Sequence, residues 1–236
     1  MVMDSVYLSV EKLDKTFLLH NQNNTRINVF KDVDLKAYRG ECLVIHGESG
    51  SGKSTLLKTL YGNYLAKDGH IFIQHRGARV DLVRSEPRKI IQIRKETMGY
   101  VSQFLRVVPR VPCIDIVAEP LLERGIDQAV ALEKAQTLLE RLHIPSHLWN
   151  LSPVTFSGGE QQRVNLAHGF IADYPILLLD EPTASLDAMN RDVVIGLIHE
   201  KKAQGVALIG IFHDAHVRES VADRYVDMHS IGSLTP

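Results

Sequence analysis

Gly47-Glu48-Ser49-Gly50-Ser51-Gly52-Lys53-Ser54-Thr55 is the stretch that decides the fold. Its spacing is G-x-x-x-x-G-K-[ST]. Glycines are needed where backbone N–H groups converge on an anion, because side chains would fill that space. The apolar run Cys42–His46 precedes the loop and reads as a buried strand. Leu56, Leu57 and Leu60 follow at helical spacing over Lys53–Tyr61, and Gly62 stops the helix. A strand, a glycine turn and a helix that points its positive end at the turn form a cradle for a triphosphate. Lys53 supplies a point charge for the β- and γ-phosphates. The Ser54 hydroxyl is an oxygen ligand for Mg²⁺, which takes oxygens in octahedral geometry.

Outward from the loop, apolar runs of strand length alternate with longer segments of helical period, the pattern of an α/β fold. Val33, Leu35 and Ala37 alternate with polar residues as in a half-exposed strand. His70–Gln74 and Val80–Val83 flank a glycine turn and predict a hairpin. Ser85 followed by Pro87 opens a helix to Lys95. Asp127 N-caps a helix to Leu142, with Ala131, Ala135, Leu138, Leu139 and Leu142 on one side. Helices are expected at Gly158–Ile171 and Met189–Lys202, and central parallel strands at Ile176–Leu179 and Ala207–Phe212. No internal repeat, low-complexity tract or linker divides the chain. A single domain over residues 1–236 is expected, with a more helical subdomain at roughly 104–155 joined by the start of the helix at Gly158.

Composition bounds the partners. The chain has 236 residues with 44% hydrophobic and 23% charged residues, the balance of a globular protein rather than a disordered one. A net charge of −1 gives no global field for nucleic acid or lipid. Two cysteines, Cys42 and Cys113, are too few for a disulfide framework and fit a reducing, cytoplasmic setting. Met1–Glu11 lacks the apolar core of a signal peptide, and no apolar run is long enough to span a membrane. Charge is uneven, however. Residues 76–110 hold nine basic residues against three acids, a net +6. That stretch is either a solvated face or a docking surface for an acidic partner.

Ile176-Leu177-Leu178-Leu179-Asp180-Glu181 places two carboxylates at the C-terminal end of an apolar strand, where ligands gather in open α/β sheets. Alone, such a pair also fits an ordinary strand end. Beside a phosphate loop, Asp180 is expected to hold the Mg²⁺ shell and Glu181 to orient and deprotonate the attacking water. Phe156-Ser157-Gly158-Gly159-Glu160-Gln161-Gln162-Arg163 opens a second helix with a serine and two glycines. It is a second anion site, separate from the first. Two phosphate-binding ends in one chain point to a composite site made by two protomers.

Here the sequence resembles the ABC ATPase family, whose signature reads LSGGQ or close to it. The resemblance covers nearly the whole chain, in the family's order. It implies that Ser157, Gly158, Gly159 and Glu160 meet the γ-phosphate held by a second protomer's Lys53. It implies that Gln103, in Tyr100-Val101-Ser102-Gln103, senses Mg²⁺ and the water. It implies that Asp187, in Ser185-Leu186-Asp187, crosses the dimer interface. His213 would hold the γ-phosphate and steady Glu181, and Phe17 would stack on adenine unless it is simply core. ATP and Mg²⁺ are the implied cofactors, with Gln103 joining Ser54 and Asp180 at the metal. Three departures stand out: Phe156 for the signature leucine, His168 where many relatives carry arginine, and Phe17 for the commoner tyrosine.

Within that family, Leu56–Leu65, Ser102–Val111, Phe156–Asn165, Tyr174–Ala188 and Gly210–Asp214 are similar to the PhnL subfamily. These are the ATP-binding subunits of the carbon–phosphorus lyase system for phosphonate use. The resemblance implies soluble lyase core subunits as partners, beside a system that joins a phosphonate to the ribose of a purine nucleoside triphosphate. The alternative is the nucleotide-binding subunit of a membrane exporter of the lipoprotein-releasing type.

Overall fold

The computed structural model describes residues 5–19, 25–105 and 109–230. Its first half runs β1 (Val6–Leu19), β2 (Thr25–Tyr38), β3 (Cys42–His46), α1 (Lys53–Leu60), β4 (Asp68–His75), β5 (Ala78–Asp81), α2 (Pro87–Glu96) and β6 (Met98–Val101). Its second half runs α3 (Cys113–Leu122), α4 (Gln128–Arg141), α5 (Gly158–Phe170), β7 (Ile176–Asp180), α6 (Ala188–Ala203), β8 (Ala207–Ile211), α7 (Ala215–Val221) and β9 (Arg224–Asp227). Two sheets result. An antiparallel one has the order β2-β1-β4-β5, and a parallel one has the order β6-β7-β8-β3-β9.

The parallel sheet is covered on both faces, which is why its strands read as unbroken apolar runs. Period-two alternation sorts their side chains. Leu43, Ile45, Leu178 and Ile209 face α1 and the antiparallel sheet. Cys42, Val44, Leu179 and Leu208 face the helical layer of α3, α5 and α6. Burial pushes both cysteine thiols up to about 12, so these residues act as small apolar fillers. Arg141 of α4 grips both carboxylate oxygens of Glu200 on α6, at 2.7 and 2.5 Å, and so ties α4 to α6.

The expected hairpin, the α1, α2, α4, α5 and α6 helices and the two central strands are present, with ends shifted by a residue or two. Five elements have no counterpart in the sequence expectations, namely β1, β6, α3, α7 and β9, and two of them show why. In β1 the inward set changes phase, from Leu8 and Val10 to Leu13 and Lys15, across a register shift where Lys12 takes φ 48°. In α3 Pro120 lies inside the helix, yet Val117, Ala118 and Leu121 are buried on one side of it.

Part of the basic stretch is consumed by the fold. Arg76 bonds Glu96 at 2.7 and 2.6 Å, Arg79 bonds Glu11 at 2.7 Å, and Arg94 bonds the Tyr61 carbonyl at 3.0 Å. Arg88, Lys95 and Arg110 remain exposed. Arg106 of that stretch, and Met1–Asp4 of the N-terminal segment, lie outside the described residues. Among the described residues no helix is long and apolar enough to cross a membrane.

Candidate functional site

The order β6-β7-β8-β3 sets the C-terminal ends of four parallel strands side by side. Gln103 follows β6, Asp180 and Glu181 end β7, His213 follows β8, and the glycine loop follows β3. The sheet therefore assembles at one edge four groups that lie far apart in sequence.

The loop is built for an anion. Gly47, Gly50 and Gly52 take φ of 145°, 83° and 91°. A Cβ on Gly52 would meet Val29 Cγ1 at 2.7 Å, whereas Gly50 faces open space and is required by its φ alone. Glu48, Ser49 and Gly50 form the exposed crest, while Ser51 is buried beneath it. Helix α1 starts on Gly52 with no side-chain cap and no acid in its first turn, so its first N–H groups are left for a ligand. Thr55 is half-buried in that first turn. Lys53 Nζ folds over the loop and donates to the carbonyls of Gly47 at 2.8 Å and Glu48 at 2.7 Å. Burial lowers its pKa, and the Glu181 carboxylate partly opposes that shift. A cavity of about 380 Å³ opens beside the loop, lined by His46, Gly47, Lys53, Phe212 and His213 among others.

Asp180 is 1% exposed, and both of its oxygens are engaged. Oδ1 accepts from Ser54 Oγ at 2.9 Å and Oδ2 from the Tyr100 hydroxyl at 2.8 Å. The Ser54–Asp180 pair is an all-oxygen donor set, which suits Mg²⁺ completed by phosphate and water. Glu181 is the adjoining residue, at φ 53°. That conformation costs a non-glycine residue about 1–3 kcal/mol and is characteristic of functional sites. Gln103 Nε2 donates to Glu181 Oε2 at 2.9 Å, and His213 Nε2 lies 2.7 Å from Oε1. The resemblance implies a contact of His213 with Glu181; the structure shows it and adds Gln103, so that Gln103, Glu181 and His213 form one hydrogen-bonded group.

The expected second anion site falls at the start of α5. Ser157 N-caps the helix, and its Oγ accepts from Glu160 N at 3.4 Å. Glu160 Oε2 in turn accepts from Ser157 N at 2.8 Å and from Ser157 Oγ at 2.7 Å. These bonds hold the Glu160 carboxyl below its usual range. Gly158 faces open space, and a Cβ on Gly159 would meet the Ser185 carbonyl at 3.2 Å. Gln162 Nε2 bonds the Pro182 carbonyl at 3.0 Å, and Asp187 N-caps α6 through Asn190 N at 2.9 Å. The serine-glycine start and the Ser185–Asp187 turn are thus packed together. Asn190's N–H groups hold the Asp187 carboxyl low.

The three departures have local settings. Phe156 is buried in the core beneath α5. His168 Nε2 lies 3.4 Å from Glu119 Oε2, joins α5 to α3 and lowers the Glu119 pKa. Phe17 is half-buried on β1, edge-on to Tyr64 at 5.3 Å, with Lys15 Nζ 4.4 Å from its ring centre.

Sequence reasoning missed one participant, Tyr100. In the sequence Tyr100 is only part of the segment leading to Gln103, and its bond to Asp180 spans 80 residues. Glu160, expected beside the phosphate, is bonded to Ser157 in this structure. The S-x-x-E spacing of a capping box carried that signal.

The family model described as "ABC transporter" matches residues 30–184. A lipoprotein-releasing system ATP-binding protein, LolD, of Shewanella oneidensis is 35% identical over 90% of this chain and 89% of its own length. The ABC transporter ATP-binding protein YtrE of Bacillus subtilis is 32% identical over 89% of this chain and 90% of its own. Among solved structures, a dimeric ATP-binding cassette, MJ0796, superposes with a TM-score of 0.84, at 24% identity over 93% of both chains. That likeness concerns the fold: a parallel sheet, an antiparallel β subdomain and a helical subdomain. With the family model and relatives of this identity and coverage in agreement, the chain belongs to the ABC transporter family, whose ATPase domains bind ATP with Mg²⁺.

Proposed function

We propose that the chain is the ATP-hydrolysing motor of a larger assembly, working as two protomers that close on ATP and reopen after hydrolysis. The observation that carries this reading is the Glu181 carboxylate, held from both sides by Gln103 and His213 at the edge of the phosphate loop. In this reading Lys53 and the N–H groups of residues 47–55 hold the phosphates. Ser54 and Asp180, with Gln103, hold Mg²⁺, which neutralises phosphate charge when bound. Glu181 takes a proton from the attacking water, and His213 fixes its orientation and reaches the γ-phosphate. Ser157, Gly158 and Gly159 close the site from the second protomer, with Glu160 and Asp187 beside them. For that contact the Ser157 hydroxyl exchanges Glu160 for a phosphate oxygen. Phe17 offers its ring to the adenine.

Coupling to a partner runs through the residue after Gln103. Phe104 is 75% exposed, so a partner seated on it is one residue from a group that holds Glu181. For the partner itself, the reading is the soluble core of the carbon–phosphorus lyase system. It rests on the resemblance of Leu56–Leu65, Ser102–Val111 and Tyr174–Ala188 to the PhnL subfamily. LolD and YtrE carry different names at 35% and 32% identity, so identity at this level reflects the shared ATPase machinery more than the partner. A second reading, an exporter subunit docked on a membrane permease, is favoured by the names of those same relatives.

One pull-down decides between the two. Tagged protein expressed in its own host, with ATP present, is expected to recover soluble phosphonate-processing subunits, identified by mass spectrometry. Recovery of a polytopic membrane protein in their place would establish the exporter reading.

A further inference from the structure

We infer that Tyr100 is a positioning residue for the Mg²⁺ site: its hydroxyl, donated to Asp180 Oδ2, keeps the other carboxylate oxygen turned to Ser54 and the metal. The inference rests on the assignment of Ser54 and Asp180 as metal holders and adds a residue to it. The strand pairing explains why Tyr100 can reach. β6 and β7 run parallel with Tyr100 opposite Leu178. Period-two alternation then puts Tyr100, Leu178 and Asp180 on one face of the sheet, the face covered by α1. Gly99, before it, lets β6 lie close to the next layer, since a Cβ there would meet Tyr174 Cδ2 at 2.6 Å.

The ring is braced by the same helix that carries Ser54. Tyr61 ends α1, and its ring stacks on that of Tyr100 with centroids 5.0 Å apart and planes at 25°. Arg94 lies over Tyr61, 4.7 Å from its centroid, and bonds the Tyr61 carbonyl. Tyr100 is therefore clamped between the helix that starts at the metal-binding hydroxyl and the strand that ends in the metal-binding carboxylate. A carboxylate with a donor on each oxygen, 2.9 and 2.8 Å away, cannot rotate without breaking both bonds. Without Tyr100, Asp180 is held on one side only. It must then find a partner for Oδ2 in an interior where Asp180 is almost wholly buried.

The test separates the metal from the nucleotide. Binding of a fluorescent ADP analogue is measured with Mg²⁺ and with EDTA, and the ratio of the two Kd values gives the gain due to the metal. Tyr100→Phe is expected to cut that gain about tenfold, the order of one hydrogen bond to a charged group. The Kd in EDTA should be unchanged. Asp180→Asn should lose the gain, and adding Tyr100→Phe to it should cost nothing more, because Tyr100 acts through Asp180. A gain within twofold of wild type in Tyr100→Phe, or additive losses in the double variant, would overturn the inference. Lys53→Ala is the control for the cradle and should weaken binding in EDTA as well. Unchanged binding there would overturn the cradle reading, and this one with it.

Discussion

Glu181→Gln is expected to bind ATP as the wild type does while hydrolysing it about 10²–10⁴-fold more slowly, the range that one positioned general base supplies. The amide preserves the shape of the carboxylate but cannot take a proton. It also disturbs the local bonding. Both oxygens of Glu181 now have partners, Gln103 Nε2 at 2.9 Å and His213 Nε2 at 2.7 Å. A glutamine offers one acceptor and one donor in their place, so Gln103 or His213 must turn or change tautomer. With the phosphates still gripped, ATP should persist and the protein should run as a dimer on gel filtration in ATP and Mg²⁺. Phosphate release and nucleotide Kd measured side by side check this. Turnover within twofold of wild type would remove Glu181 from the role of base.

Ser157→Arg is expected to abolish turnover, by about 10²–10³-fold or more, while nucleotide binding by each monomer is unaffected. The fall follows from losing a preorganised donor where charge develops and filling the helix start with a bulky side chain. The serine also caps α5, so its loss costs about 1 kcal/mol of stability. Ser157→Asp separates the two effects, because aspartate caps a helix as well as serine does and opposes a phosphate by its charge. Both variants should keep the wild-type Kd for ATP when monomeric and lose hydrolysis. Full activity in either one would exclude the composite site.

The phosphate loop and the Asp180–Glu181 pair were legible because each states its own requirement locally, whereas Gln103, Asp187, His213 and Phe17 were reached only through the family resemblance. Gly50 has open space around it and is a glycine for its φ of 83° alone, which a sequence shows as a bare spacing. Ile176–Asp180 is buried along its whole length, and a run of apolar residues ending in acids displays that directly. What stayed hidden depends on pairing across the chain or on compensated irregularities. The bond from Tyr100 to Asp180 exists because two short strands happen to be adjacent and in register. β1 was obscured because the shift at Lys12 changes which alternate residues point inward, and a fixed period of two then fails. α3 was obscured by Pro120, whose local cost is offset by burial of Val117 and Leu121 against the core. The basic stretch looked like a single patch in sequence. In the fold Arg76 and Arg79 still face outward but are paired with Glu96 and Glu11, and Arg94 is turned onto the Tyr61 carbonyl, so the unpaired positive charge there is smaller than the count implied.

The most direct measurement is a crystal structure of Glu181→Gln with ATP and Mg²⁺ as a closed dimer. The γ-phosphate should lie within hydrogen-bond distance of Lys53 in one protomer and of the partner's Ser157, with Ser157 no longer bonded to Glu160. A closed, nucleotide-loaded dimer in which the helix start at residues 157–160 faces away from every phosphate would contradict the account.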